Sequence, residues 1–189
     1  MIESLKTYLR ETTTISDIEF EQALPYFTKK TLQKNEYFVK EGMICKQIAF
    51  VEEGLLRSFY YNNKAEEITF CFETENNFST SYKSFILQCP SNLSIQAIEK
   101  TQLIVIDHKN LQKLYDTSFQ WLKIGKLFAE KEYIFLEQYA SMLNSDSTKE
   151  KYLRLLKENP TIIKKAKLKY IASFLGITSR SLSRIRKGL

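Results

Sequence analysis

Histidine is almost missing from this chain: its 189 residues contain one, His108, together with three cysteines, Cys45, Cys71 and Cys89. A lone histidine in an Asp-His-Lys stretch has no partner with which to form a His–carboxylate or Cys–His pair, and reads as a surface residue. The cysteines are odd in number, widely spaced and form no CxxC pair. That argues against a disulfide framework or a zinc site and fits a reducing cytoplasm. No amino-terminal cysteine cluster is present to hold an iron–sulfur centre. The chain also lacks a P-loop and a GxGxxG. No catalytic residue, metal ligand or cofactor is therefore expected. Long apolar runs are missing too. No stretch of about 18 apolar residues exists to cross a membrane, and the opening MIESLKTYLRE lacks the apolar centre of a secretory signal. The acid pairs Glu52-Glu53 and Glu66-Glu67 are adjacent, so on a strand they point to opposite faces and cannot share a site.

What is present is enough for a core: 43% of the residues are hydrophobic and 13% aromatic. Charge is distributed unevenly. Residues 144–189 hold 12 Lys and Arg against 3 Asp and Glu, whereas residues 1–143 hold 16 against 19. A mildly acidic body with a strongly basic tail suggests a polyanionic partner on one side only.

Along the chain, residues 1–28 read as helical, broken at Thr12–Thr14, with Ser16 or Asp17 as the next N-cap. From Thr31 the texture changes to short β-branched and aromatic runs punctuated by Gly42, Gly54 and Asn62-Asn63. A further strand pair is expected at Leu93–Ile98 and Leu103–Ile106, joined by Glu99-Lys100-Thr101. Strands so closely spaced suggest an antiparallel roll or barrel rather than a parallel sheet. After Asp107 the pattern is helical again: a short helix at Asn110–Tyr115, then one of roughly seven turns over residues 118–143 at about 3.6 residues per turn. This long helix has two apolar stripes. One runs through Ile124, Leu127, Phe128, Ile134, Phe135 and Met142, the other through Leu122, Ala129, Tyr133, Leu136, Ala140 and Leu143. One stripe suffices for one neighbour. Two imply the roll on one side and a second copy of the chain on the other, or else a helix wholly buried within one subunit. A polar break at residues 144–148 marks a boundary, and the helix that follows ends at Asn159-Pro160.

Residues 168–189 read as two short helices around a turn. Leu168, Ile171, Ala172 and Leu175 share one face of the first, and Gly176 stands where a helix end favours a left-handed residue. Ile177 fills the turn and Thr178 caps the second helix. In that helix Leu182 and Ile185 face the first, while Arg180, Ser183, Arg184 and Lys187 share the opposite face. A bracing helix followed by a basic one is what a helix-turn-helix requires, the second helix entering the DNA major groove. Arginine there can bond guanine bidentately, and Ser and Lys can take phosphates or base edges.

FVEEGLLRSFYYNNKAEEITF (50–70) and IASFLGITSRSLSRIRK (171–187), with the order of parts around them, make the chain resemble the Crp/Fnr family of bacterial transcription regulators over roughly residues 15–189. The resemblance implies an α+β architecture: a cyclic-nucleotide-binding-like antiparallel β-roll with flanking helices over residues 1–116, a long dimerisation helix over 117–144, and a winged helix-turn-helix over 145–189. It places base contacts on Ser179, Arg180 and Arg184; with Thr178, Ser183 and Lys187, read from the helix itself, these make up the expected DNA-binding residues. The wing falls on PTIIKKAK, whose Lys164, Lys165 and Lys167 would meet phosphates. Nothing is expected to extend the DNA-binding part beyond Leu189. The implied partners are a palindromic DNA operator, a second copy of the chain and RNA polymerase, in the cytoplasm.

The sensory pocket implied by the resemblance would draw on Phe78, Ser79, Thr80, Ser81, Tyr82, Ser91 and Asn92, and there the family pattern is not kept. Ser79-Thr80 stands where nucleotide-binding members carry Gly-Glu, and Ser91-Asn92 near the place of Arg-Ser. Without that arginine a cyclic phosphate has no charge partner, and a charge-assisted bond of this kind is worth about 1.5–3 kcal/mol. Cyclic AMP is therefore not the expected effector. A different class of function also fits the sequence: a small-molecule-binding dimer whose basic tail serves partner binding or indifferent nucleic-acid binding.

Overall fold

The computed structural model of the chain describes residues 2–188; Met1 and Leu189, where the expectation about the chain's end falls, lie outside them. Helix α1 (Glu3–Thr12) buries Leu5 and Leu9 against the roll. After the break, α2 (Asp17–Ala23) starts at Ser16 in a reciprocal capping box with Glu19, which satisfies two amide donors that a helix start leaves free. A single 3-10 turn leads into β1 (Phe27–Leu32), a few residues earlier than the texture of the sequence suggests.

Strands β2 (Tyr37–Val39), β3 (Gln47–Glu53), β4 (Leu55–Tyr61), β5 (Glu67–Thr74) and β6 (Phe78–Ser79) follow. The short helix α3 (Tyr82–Leu87) then precedes β7 (Ser94–Ala97) and β8 (Thr101–Asp107). They form two four-stranded antiparallel sheets, ordered β1-β8-β3-β6 and β2-β7-β4-β5. The expected pairing of the last two strands is corrected. β7 pairs with β2 and β4 while β8 pairs with β1 and β3, so Ile98–Lys100 passes from one sheet to the other instead of closing a hairpin. Val51, Leu56, Ile95 and Leu103 are all but fully buried between the sheets, while Phe50 and its cross-strand partner Ile104 are buried on the other face of their sheet, where Phe50 meets Tyr8 of α1. Each such side chain contributes roughly 1.5–3 kcal/mol.

Beyond the roll come α4 (His108–Thr117) and the 27-residue α5 (Phe119–Ser145), capped by Ser118. Then follow α6 (Thr148–Glu158), α7 (Pro160–Lys165), α8 (Leu168–Phe174) and α9 (Ser179–Lys187). The end of α5 is closed by Lys151 of α6, whose buried ammonium donates to the Leu143 carbonyl at 2.9 Å, a cation placed at the negative pole of a helix. A second core joins the carboxy-terminal helices to the roll: Leu55 and Phe72 pack with Met142, Tyr152, Leu155, Ile162, Ile171, Phe174 and Leu182. The wing expected at 160–167 is not there. Pro160 opens a helix and Ile162 buries its apolar side, and among the described residues no strand follows Asp107.

Candidate DNA interface and sensory cavity

Helices α8 and α9 meet around a turn whose geometry follows from four residues. Gly176 has φ of 65°. Its amide donates to Ser173 O at 3.1 Å, and the Ile177 amide donates to Ala172 O at 2.9 Å. These two bonds are the Schellman closure that a left-handed residue permits. Thr178 then accepts from the Ser181 amide at 3.1 Å, and α9 begins. Leu182 is fully buried and Ile185 packs beside it. Ser179, Arg180, Arg184 and Lys187 are exposed and Ser183 half-exposed on the other side. Arg186, not singled out from the sequence, is exposed as well. The helix thus holds its basic side chains in solvent while one leucine anchors it.

The three lysines ahead of the helix pair have different surroundings. Lys164 is exposed at the end of α7. Lys165 forms an ion pair with Glu99 of the roll at 2.6 Å, and that bond raises its pKa. Lys167 lies over the Tyr170 ring at 5.6 Å.

On α5 the inward stripe meets the roll: Phe128 packs edge-on against Phe78 at 5.2 Å, and Met142 is buried. Leu122, Tyr133, Ile134 and Leu136 stay open, Tyr133 at 69%. A helix buried wholly within one subunit does not match this exposure.

Between β5, the β6 region and α5 lies a cavity of about 270 Å³. Of the seven residues expected to form a pocket, Phe78 and Thr80 line it. The others do not. Ser79 is buried in the sheet, the Ser91 hydroxyl bonds to that of Ser81 at 2.8 Å, Tyr82 lines a separate groove and Asn92 is exposed. The walls are instead aromatic and acidic, with Phe70, Phe72 and Glu73 from β5, and Phe128, Glu132 and Phe135 from α5. Lys131 is also present, its ammonium donating to the Tyr8 hydroxyl at 3.2 Å. Asn159 adds a residue from the carboxy-terminal segment.

Glu73 is 8% exposed. Ser58 Oγ donates to its Oε1 at 2.7 Å, and Oε2 is buried without a partner. Burial, with the nearby Glu132 carboxylate adding to it, pushes the Glu73 pKa up to about 7. Burial raises Glu132 too. Burial and the same two carboxylates push the Cys71 thiol well up, so it stays protonated. Sequence reasoning missed these groups. One signal was available: Glu132 sits four residues after Phe128 and three before Phe135, which puts a carboxylate on the apolar stripe that meets the roll.

The buried cation of the molecule is elsewhere. Arg57 on β4 is fully buried, its guanidinium 4.2 Å from the Phe59 centroid and 3.7 Å from that of Tyr170 on α8. It donates to Thr69 at 2.9 Å and to Glu67 at 2.7 Å. His108 opens α4 against the Phe85 ring. Among the described residues no group of three or more His, Cys, Asp or Glu is placed to hold a metal.

Residues 29–118 match the family described as the cyclic nucleotide-binding domain. Among solved structures the chain is similar to FixK2 from Bradyrhizobium japonicum, at 17% identity over 86% of this chain and 84% of that one, with a TM-score of 0.76. It is similar to CLP, the c-di-GMP-responsive global regulator of Xanthomonas campestris, at 15% identity over 92% and 91%, TM-score 0.71. A Crp/Fnr-family protein from Eubacterium rectale matches at 16% identity over 96% and 87%, TM-score 0.72. No curated protein matches the chain by sequence. The resemblance carried by residues 50–70 and 171–187 is borne out: the chain has the fold of the Crp/Fnr regulators, built on a cyclic nucleotide-binding domain.

Proposed function

We propose that the chain is a transcriptional regulator that binds a palindromic DNA site as a homodimer, with a roll that senses a small molecule other than cyclic AMP. The observation that carries this is α9: capped by Thr178, anchored by buried Leu182 and presenting Arg180, Arg184 and Lys187 to solvent. Two such helices in a dimer read half-sites about one helical turn apart. The open stripe of α5 supplies an apolar surface for the second copy. The three segments 1–116, 117–144 and 145–189 then serve sensing, dimerisation and DNA binding. Lys164, Lys167 and Arg186 suit phosphate contacts, whereas Lys165 must first leave Glu99. No described helix is long and apolar enough to cross a membrane, and a cytoplasmic regulator that meets RNA polymerase fits this reading. No residue is assigned a catalytic role.

Against cyclic AMP stands the cavity itself. Its walls carry two carboxylates, and the arginine of the roll is already held by Glu67, Thr69 and two rings. The test is selection of bound duplexes from a random pool at near-physiological salt, with wild type and Arg184→Ala. An inverted repeat is expected from the wild type. With Arg184→Ala discrimination at one or two positions should relax by about 1–3 kcal/mol each. Recovery of no motif, even with cell extract added, rejects sequence-specific recognition in favour of a merely basic tail.

A further inference from the structure

The cavity's wall chemistry specifies its ligand more narrowly than "not a nucleotide". It combines three features that suit one class of molecule. Aromatic residues of β5, β6 and α5 (Phe70, Phe78, Phe128 and Phe135) line a space of about 270 Å³, just below the usual range of ligand sites and sized for a small molecule. Glu73 and Glu132 supply carboxylates from opposite walls, one on the sheet and one on the helix. Oε2 of Glu73 is buried without a hydrogen-bond partner at ordinary geometry, the weakly donating Cys71 thiol being near it, and buried polar atoms without a partner are rare enough to ask for one. The single ammonium of the walls, Lys131, is directed to Tyr8, lying 5.4 Å from its ring centroid and bonding its hydroxyl.

From these walls we infer that the cavity binds a compact organic cation, an amine or quaternary ammonium, with its charge between Glu73 and Glu132 and its carbon groups against the aromatic rings. Rings attract a cation through the negative potential of their faces. A protonated amine reaching Glu73 Oε2 would donate the stronger, charge-assisted kind of hydrogen bond, whereas a quaternary ammonium, which has no N–H, would be held by charge and rings alone. An anionic ligand would meet two carboxylates and be repelled. A neutral ligand of the same shape would fill the cavity but leave the carboxylates unpaired. This inference rests on the reading of the roll as a sensor and names the class of molecule sensed.

The experiment is titration calorimetry on the full chain at pH 8, without DNA. The probes are choline, benzyltrimethylammonium, 3,3-dimethylbutan-1-ol (the uncharged counterpart of choline) and cyclic AMP. The ammonium probes are expected to bind, and choline more tightly than the neutral alcohol by about tenfold or more, because the two differ only in the charge that the carboxylates and rings attract. Glu73→Gln, which keeps the shape, should reduce that preference several-fold, and Glu132→Gln should shift it the same way. The inference is overturned if the alcohol matches choline, if cyclic AMP binds better than the ammonium probes, or if neither ammonium probe binds at millimolar concentration. The comparison of choline with the alcohol needs only the wild type, so a variant that folds poorly does not blunt it. Duplex selection is scored separately: a chain that finds an operator but binds no ammonium remains a regulator with a different ligand.

Discussion

Replacing Glu73 by Gln should make this protein more stable at pH 8 and flatten its stability profile between pH 5 and pH 8. The argument is one of proton linkage. Burial lifts the Glu73 pKa from an ordinary 4.5 to about 7, so between those values the folded chain holds a proton that the unfolded chain has released. Stability from this group is fully present below pH 4.5, falls as pH rises through the window, and is gone above about 7. At about 1.4 kcal/mol per unit, a difference of about two and a half units sets a cost near 3 kcal/mol for the ionised group. Gln keeps an acceptor for the Ser58 hydroxyl, which now bonds Oε1 at 2.7 Å, and never takes on charge. Urea denaturation of both chains at pH 5 and pH 8, at one fixed protein concentration, reads the difference directly. Relative to wild type, the variant should gain about 2–3 kcal/mol on going from pH 5 to pH 8. Glu132, also raised by burial, titrates in both chains and largely cancels. Parallel pH profiles for the two chains, or a variant that loses ground at pH 8, would refute a buried, destabilising carboxylate at this position.

Two further outcomes follow from the long helix. Tyr133 and Leu136 lie open on α5, so, if the proposed dimer forms there, the wild type should sediment as a dimer at equilibrium and the double substitution Tyr133→Glu, Leu136→Glu as a monomer, with circular dichroism unchanged. The Tyr139 hydroxyl donates to the Phe174 carbonyl at 2.9 Å, so Tyr139→Phe should cost about 1 kcal/mol, the net worth of one such bond, measured by denaturation. A change near zero would mean that water replaces the hydroxyl.

Much of the chain's local structure was written in short-range chemistry and could be read directly. Ser16 as a cap, the break at Thr12–Thr14, Gly176 and Thr178 each act within a few residues of themselves, so their neighbours in sequence suffice to predict them. The two stripes of α5 were legible because helical spacing puts them on separate faces. Strand pairing was not: β7 and β8 are consecutive, and only the packing of two sheets decides that each joins a different one. The wing failed for a related reason. Its lysines suggested an exposed ribbon, but Pro160 at a helix start and Ile162 at its buried side outweighed them. The cavity was least legible, because its carboxylates come from β5 and α5, 59 residues apart, and neither sits in a motif. A glutamate on a strand ordinarily faces water; Glu73 instead stands opposite Leu56 on the face of β5 that turns into the roll, and the pairing that puts it there is not visible in its neighbours in sequence.

The position of the cavity gives it a mechanical route to α8 and α9. Phe72 lines it and packs edge-on against Phe174 of α8 at 5.6 Å. Phe135 lines it from the other wall and stacks on Tyr139 at 6.0 Å, and Tyr139 stacks in turn on Phe174 at 5.1 Å. Both walls therefore converge on one residue of the helix that braces α9. The same helix is tied to β5 by polar bonds: the Thr69 amide donates to the Ser173 hydroxyl at 2.9 Å, and Ser173 donates back to Glu67 O at 3.3 Å. Close-packed rings do not deform continuously; a wall that moves to admit a ligand repacks its neighbours or stays where it is. Packing alone is a path and not yet a switch, because a ligand shifts an equilibrium only by its difference in affinity for two states. A ligand between Glu73 and Glu132 would supply such a difference, since it must draw β5 and α5 together around its charge, and Phe174 touches side chains from both.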